Sequence, residues 1–180
     1  MSKYISLTAI GKDKPGIVSA IAEVLYDAKC NIEDSTMTIL HGQFAMILIL
    51  CVPENISEVF LFEKLQKSSK TLGMFISYTN IDSYSPKKYL SSNPFIISVY
   101  GADKTGLVYN VSKYLAENEI NITDVQTSLS KHKDDNTYIM IIESDFPKSV
   151  SYEKISKGLA DLAKSLNVII SINRAESANI

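Results

Sequence analysis

The chain has 180 residues, 46% hydrophobic and 21% charged, with a formal net charge of −2; that length holds one large domain or two small ones, and the composition excludes a disordered or linker-dominated chain. Neither half carries the basic footprint of a nucleic-acid binder, since residues 1–85 have 7 Lys against 9 acids and residues 86–180 have 10 Lys and one Arg against 11 acids. No apolar run approaches the about 18 residues of a membrane helix, and the N-terminus does not read as a signal peptide.

In chain order, Tyr4–Ile10 is a β-rich run followed by a polar loop with Gly11 and Gly16. Ile17, Val18, Ile21, Val24, Leu25 and Ala28 then recur at helical spacing, with Pro15 suited to the first helical turn, where a missing N–H costs nothing. Asn31–Leu40 and Phe44–Val52 are strands joined by a hairpin at His41-Gly42-Gln43. A helix is expected over Ile56–Leu72 and a strand over Met74–Asp82. Further on come a strand at 94–100, a helix at 105–118, strands at 120–130 and 137–144, a helix at 151–166 and a strand at 167–173.

The second series repeats the first at an offset of 90. Gly11-Lys-Asp-Lys-Pro-Gly-Ile-Val18 aligns with Gly101-Ala-Asp-Lys-Thr-Gly-Leu-Val108, and Asn31-Ile-Glu-Asp34 with Asn121-Ile-Thr-Asp124. Residues 11–39 and 101–129 share nine identities in 29 positions, against roughly two for unrelated segments of this composition. The second copy carries about four extra residues near Lys131–Asn136. Two domains of one fold are therefore expected, at 1–85 and 94–180, with residues 86–93 as linker. The order β-α-β-β-α-β is that of the split βαβ, ferredoxin-like α+β sandwich: a four-stranded antiparallel sheet with both helices on one face. The third strands are apolar at both parities, Phe44, Met46, Leu48 and Leu50 alternating with Ala45, Ile47, Ile49 and Cys51. A sheet wetted on one side alternates apolar with polar, so another domain or another copy is expected to cover the second face, with a homodimer as the next level.

Catalytic signatures are missing: there is no G-x-S-x-G, P-loop, G-x-G-x-x-G or H-E-x-x-H. His41 and His132 fall at equivalent hairpins, and Cys30 and Cys51 have no zinc spacing, so neither metal nor cofactor is expected. The repeated loop is more informative. Gly11-x-Asp13-Lys14-x-Gly16 turns onto a helix whose start offers free backbone N–H groups and a positive dipole end, suited to a small carboxylate or phosphate. Asp13 can cap that helix or accept from a ligand ammonium. Asn31 and Asn121 each offer a donor and an acceptor. Donors for a carboxylate beside acceptors for an ammonium are what an α-amino acid needs. The same residues also have a purely structural reading: glycines for the turn, Asp13 as a cap, and Asn31 and Asn121 holding left-handed backbone after the helix.

Asp13-Lys-Pro-Gly-Ile-Val18, the helix, and Cys30-Asn-Ile-Glu-Asp-Ser35 resemble the ACT domain. The first copy is similar to the glycine cleavage system transcriptional repressor family, whose members are two ACT domains and little else. The second copy departs from the pattern with Thr105, Ile120, Thr123 and Val125 in place of Pro15, Cys30, Glu33 and Ser35. The resemblance implies a non-catalytic, amino-acid-responsive regulator; a cytoplasmic one is expected from Cys30 and Cys51, each in or next to an apolar run and read as buried free thiols in a reducing compartment. Its ligand would be a small amino acid, glycine or serine, bound where the loop after the first strand of one domain faces the start of the second strand of a neighbour. Carried over by position, it implicates Gly11, Asp13, Gly16, Ile17, Asn31 and Ile32, and equivalently Gly101, Asp103, Gly106, Leu107, Asn121 and Ile122. It also implies action through a protein partner, a transcription factor, rather than on DNA. The alternative it leaves open is a stand-alone ACT regulatory subunit of a one-carbon or amino-acid enzyme.

Overall fold

The computed structural model describes residues 3–82, 93–132 and 135–175. The chain divides into two compact units, Met1–Pro86 and Lys87–Ile180. The first holds β1 (Lys3–Lys12), α1 (Ile17–Asp27), β2 (Asn31–Leu40), β3 (Gln43–Val52), α2 (Glu58–Leu72) and β4 (Met74–Ile81). The second holds β5 (Pro94–Ala102), α3 (Leu107–Glu117), β6 (Asn121–His132), β7 (Asp135–Asp145), α4 (Tyr152–Leu166) and β8 (Ile169–Arg174). Each unit is one antiparallel sheet, ordered β2-β3-β1-β4 in the first and β6-β7-β5-β8 in the second, which is the α+β sandwich expected from the pattern. Most of the expected linker, and the centre of the second copy's insertion beside His132, lie outside the described residues.

Local chemistry accounts for the elements. In α1, Ile17, Ile21 and Leu25 stand one turn apart and are all buried. The β2–β3 connection is a two-residue turn with positive φ at both His41 (48°) and Gly42 (75°), the geometry that matches the twist of paired strands. α2 starts at Glu58, two residues later than the spacing suggests, because the Ser57 side chain accepts from the Phe60 N–H and so ends the run of helical backbone. Ser151 does the same for α4. Both helices end on a left-handed residue, Gly73 and Asn167. After α1 and α3 that conformation falls on Lys29 and Glu119. Asn31 and Asn121 instead open strands, which overturns the structural reading that gave them the left-handed position.

The first core joins Ile5, Leu7 and Ala9 of β1 and Phe44, Met46, Leu48 and Leu50 of β3 to Leu25, Leu61 and Leu65 of the helices. The second repeats it around Ile97, Val99, Val111, Leu115, Met140 and Ile142. The other parity of β3 lies on the sheet face turned from the helices, where Ile47 is 44% exposed. β2 is an edge strand, and every one of its ten residues is exposed.

One surface pair ties β1 to α2. Lys3 Nζ donates to Glu58 Oε1 at 2.9 Å, and this bond first of all holds the Glu58 carboxyl below its ordinary range. A depressed folded-state value gives stability that is present above the unfolded carboxyl range, about 4.3, and is lost as pH falls through the folded value. Lys3→Ala should therefore cost under about 1 kcal/mol at pH 7, as exposed pairs do. The difference from wild type in urea melts should vanish in acid.

Candidate functional site

The loop between β1 and α1 is pinned at two places. Gly11 sits between Phe44 and Met74 in the sheet, and a Cβ there would lie 2.5 Å from Met74 Sδ and 3.0 Å from the Gly73 carbonyl oxygen. Gly101 meets Val168 in the same way. These two glycines serve strand packing; no ligand is needed to explain them. The Asp13 N–H donates to the Gly42 carbonyl at 2.9 Å, which fastens the loop to the β2–β3 turn.

The helix start differs from the sequence expectation. Asp13 does not cap α1: the N-cap is Gly16, in left-handed backbone with φ 96°, and no side chain accepts from the first-turn N–H groups. Pro15 accordingly stands just before the cap instead of inside the first turn. α3 begins identically on Gly106, φ 95°. Neither first turn contains an acid, whereas α2 and α4 have a serine cap and Glu58 or Glu153. The uncapped N–H groups of α1 and α3 thus retain their partial positive charge. A Cβ on Gly16 would meet nothing within 4 Å, so only backbone strain opposes a side chain there. Gly16→Ala should cost about 1–2 kcal/mol in urea unfolding. Gly106→Ala should cost slightly more, since Asn110 Nδ2, which donates to the Gly106 carbonyl at 2.8 Å, lies 3.3 Å from the added carbon.

Ile17 and Leu107 are 2% and 3% exposed, so their side chains belong to the core. Asp13 and Asp103 are exposed. At the start of β2, the Asn31 amide Nδ2 donates to Glu33 Oε1 at 3.0 Å. This leaves the Asn31 carbonyl oxygen beside a carboxylate, a pair of acceptors suited to an ammonium. Glu33 is the extra residue of a bulge between Ile32 and Asp34. The second unit keeps the bulge and Asn121 but has Thr123 there, and so lacks the carboxylate.

Within one unit these two features do not meet. Asn31 pairs with Cys51, which pairs with Tyr4, at the beginning of β1. The loop follows Lys12, at the far end of the same strand. Eight residues of strand, about 26 Å, separate them. Loop donors and Asn acceptors can share a ligand only when they come from two different domains.

Between α1 and β2 the first unit has a cleft of about 130 Å³ that the sequence reading missed. Val18, Ile21 and Ala22 form its helix wall, Ile32, Ser35, Thr36 and Met37 its strand wall, and Met46 and Leu48 its floor. The signal was present in the small residues Ala22 and Ser35, but only the register shows that they line one space. The Cys30 thiol is pushed up, first by burial and then by Cys51, a direction that disfavours its thiolate form. Among the described residues no three His, Cys, Asp or Glu side chains cluster as a metal site, and no helix is long and apolar enough to cross a membrane.

A family model described as the ACT domain matches residues 3–79 and again 93–173. A UPF0237 protein of Methanopyrus kandleri is 39% identical over 79 residues, 43% of this chain and 88% of that protein. The glycine cleavage system transcriptional repressor of Escherichia coli is 43% identical over 47 residues, 26% of this chain and 25% of that protein. Among solved structures, an unknown protein of Galdieria sulphuraria has a TM-score of 0.81 at 23% identity, covering 98% of this chain and 100% of its own. A structure provisionally described as a glycine cleavage system transcriptional repressor has a TM-score of 0.72 at 18% identity, covering 98% and 99%. At those identities the structural likeness concerns the fold alone. The two family matches each span one βαββαβ unit, and the chain is thus a tandem member of the ACT domain family, related to the UPF0237 and glycine cleavage repressor proteins.

Proposed function

We propose that this chain is a non-catalytic cytoplasmic sensor of a small α-amino acid, and that it regulates through a protein partner. The observation that carries the reading is the contrast between helix starts. α1 and α3 open on left-handed glycines with uncapped N–H groups, while α2 and α4 are closed by serine hydroxyls. The ligand carboxylate takes those N–H groups at the start of one ACT domain's first helix. Its ammonium takes the Asn31 carbonyl oxygen and Glu33 at the start of another domain's second strand. Sharing the ligand in this way makes domain pairing, within a chain or in a homodimer, depend on ligand concentration.

The apolar parity of β3 supports pairing as well, because a face carrying Ile47 and Ile49 is stabilised when covered. The net charge of −2 supports a protein partner, a transcription factor, over direct contact with DNA. Glycine and serine are the ligands that the resemblance to glycine cleavage repressors suggests. Calorimetry of the folded chain against the twenty amino acids tests the reading: one or a few should bind in the micromolar to millimolar range. A chain that is folded by circular dichroism and binds none of them would refute it.

A further inference from the structure

The cleft between α1 and β2 narrows the ligand class, and this conclusion rests on the amino-acid reading above. At about 130 Å³ it is close in size to an engineered apolar cavity of about 150 Å³ that stays dry and takes up benzene. Its walls are largely carbon, Ser35 supplying the one side-chain hydroxyl on the helix side of β2. Two small residues hold it open, Ala22 on the helix side and Ser35 on the strand side, the latter opposite Leu48 in the sheet. The second unit has the same register, but the residue equivalent to Ser35 is Val125, opposite Ile142. Its two methyl groups stand where Ser35 carries only a hydroxyl. Val18, which lines the cleft, stands in the first turn of α1, the turn that carries the uncapped N–H groups.

We infer that the first unit selects an α-amino acid with an aliphatic side chain, of the size of leucine, isoleucine, valine or methionine. The carboxylate sits at the α1 start and the side chain enters the cleft over Ser35. Glycine leaves the cleft empty and serine fills little of it; each missing methylene in such a pocket lowers affinity about tenfold or more.

The test is calorimetry of the full chain with leucine, methionine, glycine and serine, on wild type, Ser35→Val and Ala22→Val. Each variant is first checked by thermal melting, and Ala22→Val, on the opposite wall, serves if Ser35→Val does not fold. The expected result is at least tenfold tighter binding of leucine or methionine than of glycine. Either variant should abolish that preference while leaving glycine affinity within twofold. Glycine or serine binding as tightly as leucine, or a preference that survives both substitutions, would overturn the inference and leave the amino-acid reading standing. Binding of no amino acid to the folded wild type would overturn both.

Discussion

Leu50→Ala is expected to destabilise the first unit by about 3–4 kcal/mol, the cost of removing a buried leucine whose surroundings relax only in part. Leu50 is 0% exposed. It lies on β3 between Ile5 of β1 and Ile32 of β2, so both flanking strands lose contact when it is shortened. A unit of this size has a total stability of about 4–13 kcal/mol, so the loss is a large share of it. In thermal melts followed by circular dichroism, the first unit's transition should fall by roughly 12–30 °C, since 1 kcal/mol moves the midpoint of a small domain by about 4–8 °C. Ile47→Ala is the control on the same strand. Ile47 faces away from the helices and is 44% exposed, so its truncation should cost under about 1 kcal/mol. Equal losses for the two would mean that the far face of the sheet is packed as tightly as the core.

Asn31→Ala should weaken amino-acid binding tenfold or more in calorimetry. The side chain supplies the carbonyl oxygen that receives the ligand ammonium, and its Nδ2 holds Glu33 beside that oxygen. Removing it takes away one charged hydrogen bond and releases the carboxylate that reinforces it. Asn121→Ala should have a smaller effect, because Thr123 brings no carboxylate to the equivalent bulge. Neither substitution should move the melting temperature much, since both residues are exposed at the start of edge strands. An unchanged affinity for Asn31→Ala would place the ligand elsewhere.

Much of this architecture was legible in the residues, for reasons that are local. Ile17, Ile21 and Leu25 repeat at one face of a helix whatever surrounds them, and His41-Gly42 supplies the positive φ of a tight hairpin without help from the rest of the chain. The repeat of Gly-x-Asp-Lys-x-Gly and Asn-Ile-x-Asp at an offset of 90 marks two copies of one unit by itself. Element ends were less accurate. The α2 start depends on where Ser57 turns its hydroxyl, and strands such as β1 and β7 run on to their turns past the last apolar residue.

The roles inside the loop needed three dimensions. The spacing of Gly11 with Gly16, repeated at Gly101 and Gly106, suggests one phosphate- or carboxylate-binding turn. In the fold the two glycines do unrelated things: Gly11 gives room to Met74 of β4, a strand more than sixty residues away, and Gly16 bends the chain onto α1. The capping role open to Asp13 disappears because α1 opens three residues later, on Gly16, while the Asp13 N–H is held by the Gly42 carbonyl at the β2–β3 turn. The Ala22–Ser35 cleft is likewise invisible along the chain, since it depends on the register that sets Ser35 opposite Leu48.

By itself, then, the order of residues determined the number of units, the βαββαβ succession and the identity of the repeated polar groups, because periodicity and turn chemistry act over a few residues. Only the tertiary structure decided that the loop and Asn31 stand at opposite ends of one sheet. Strand direction settles that point: α1 must travel the length of β1 in reverse before β2 can begin, and so a ligand that needs both must be held by two domains.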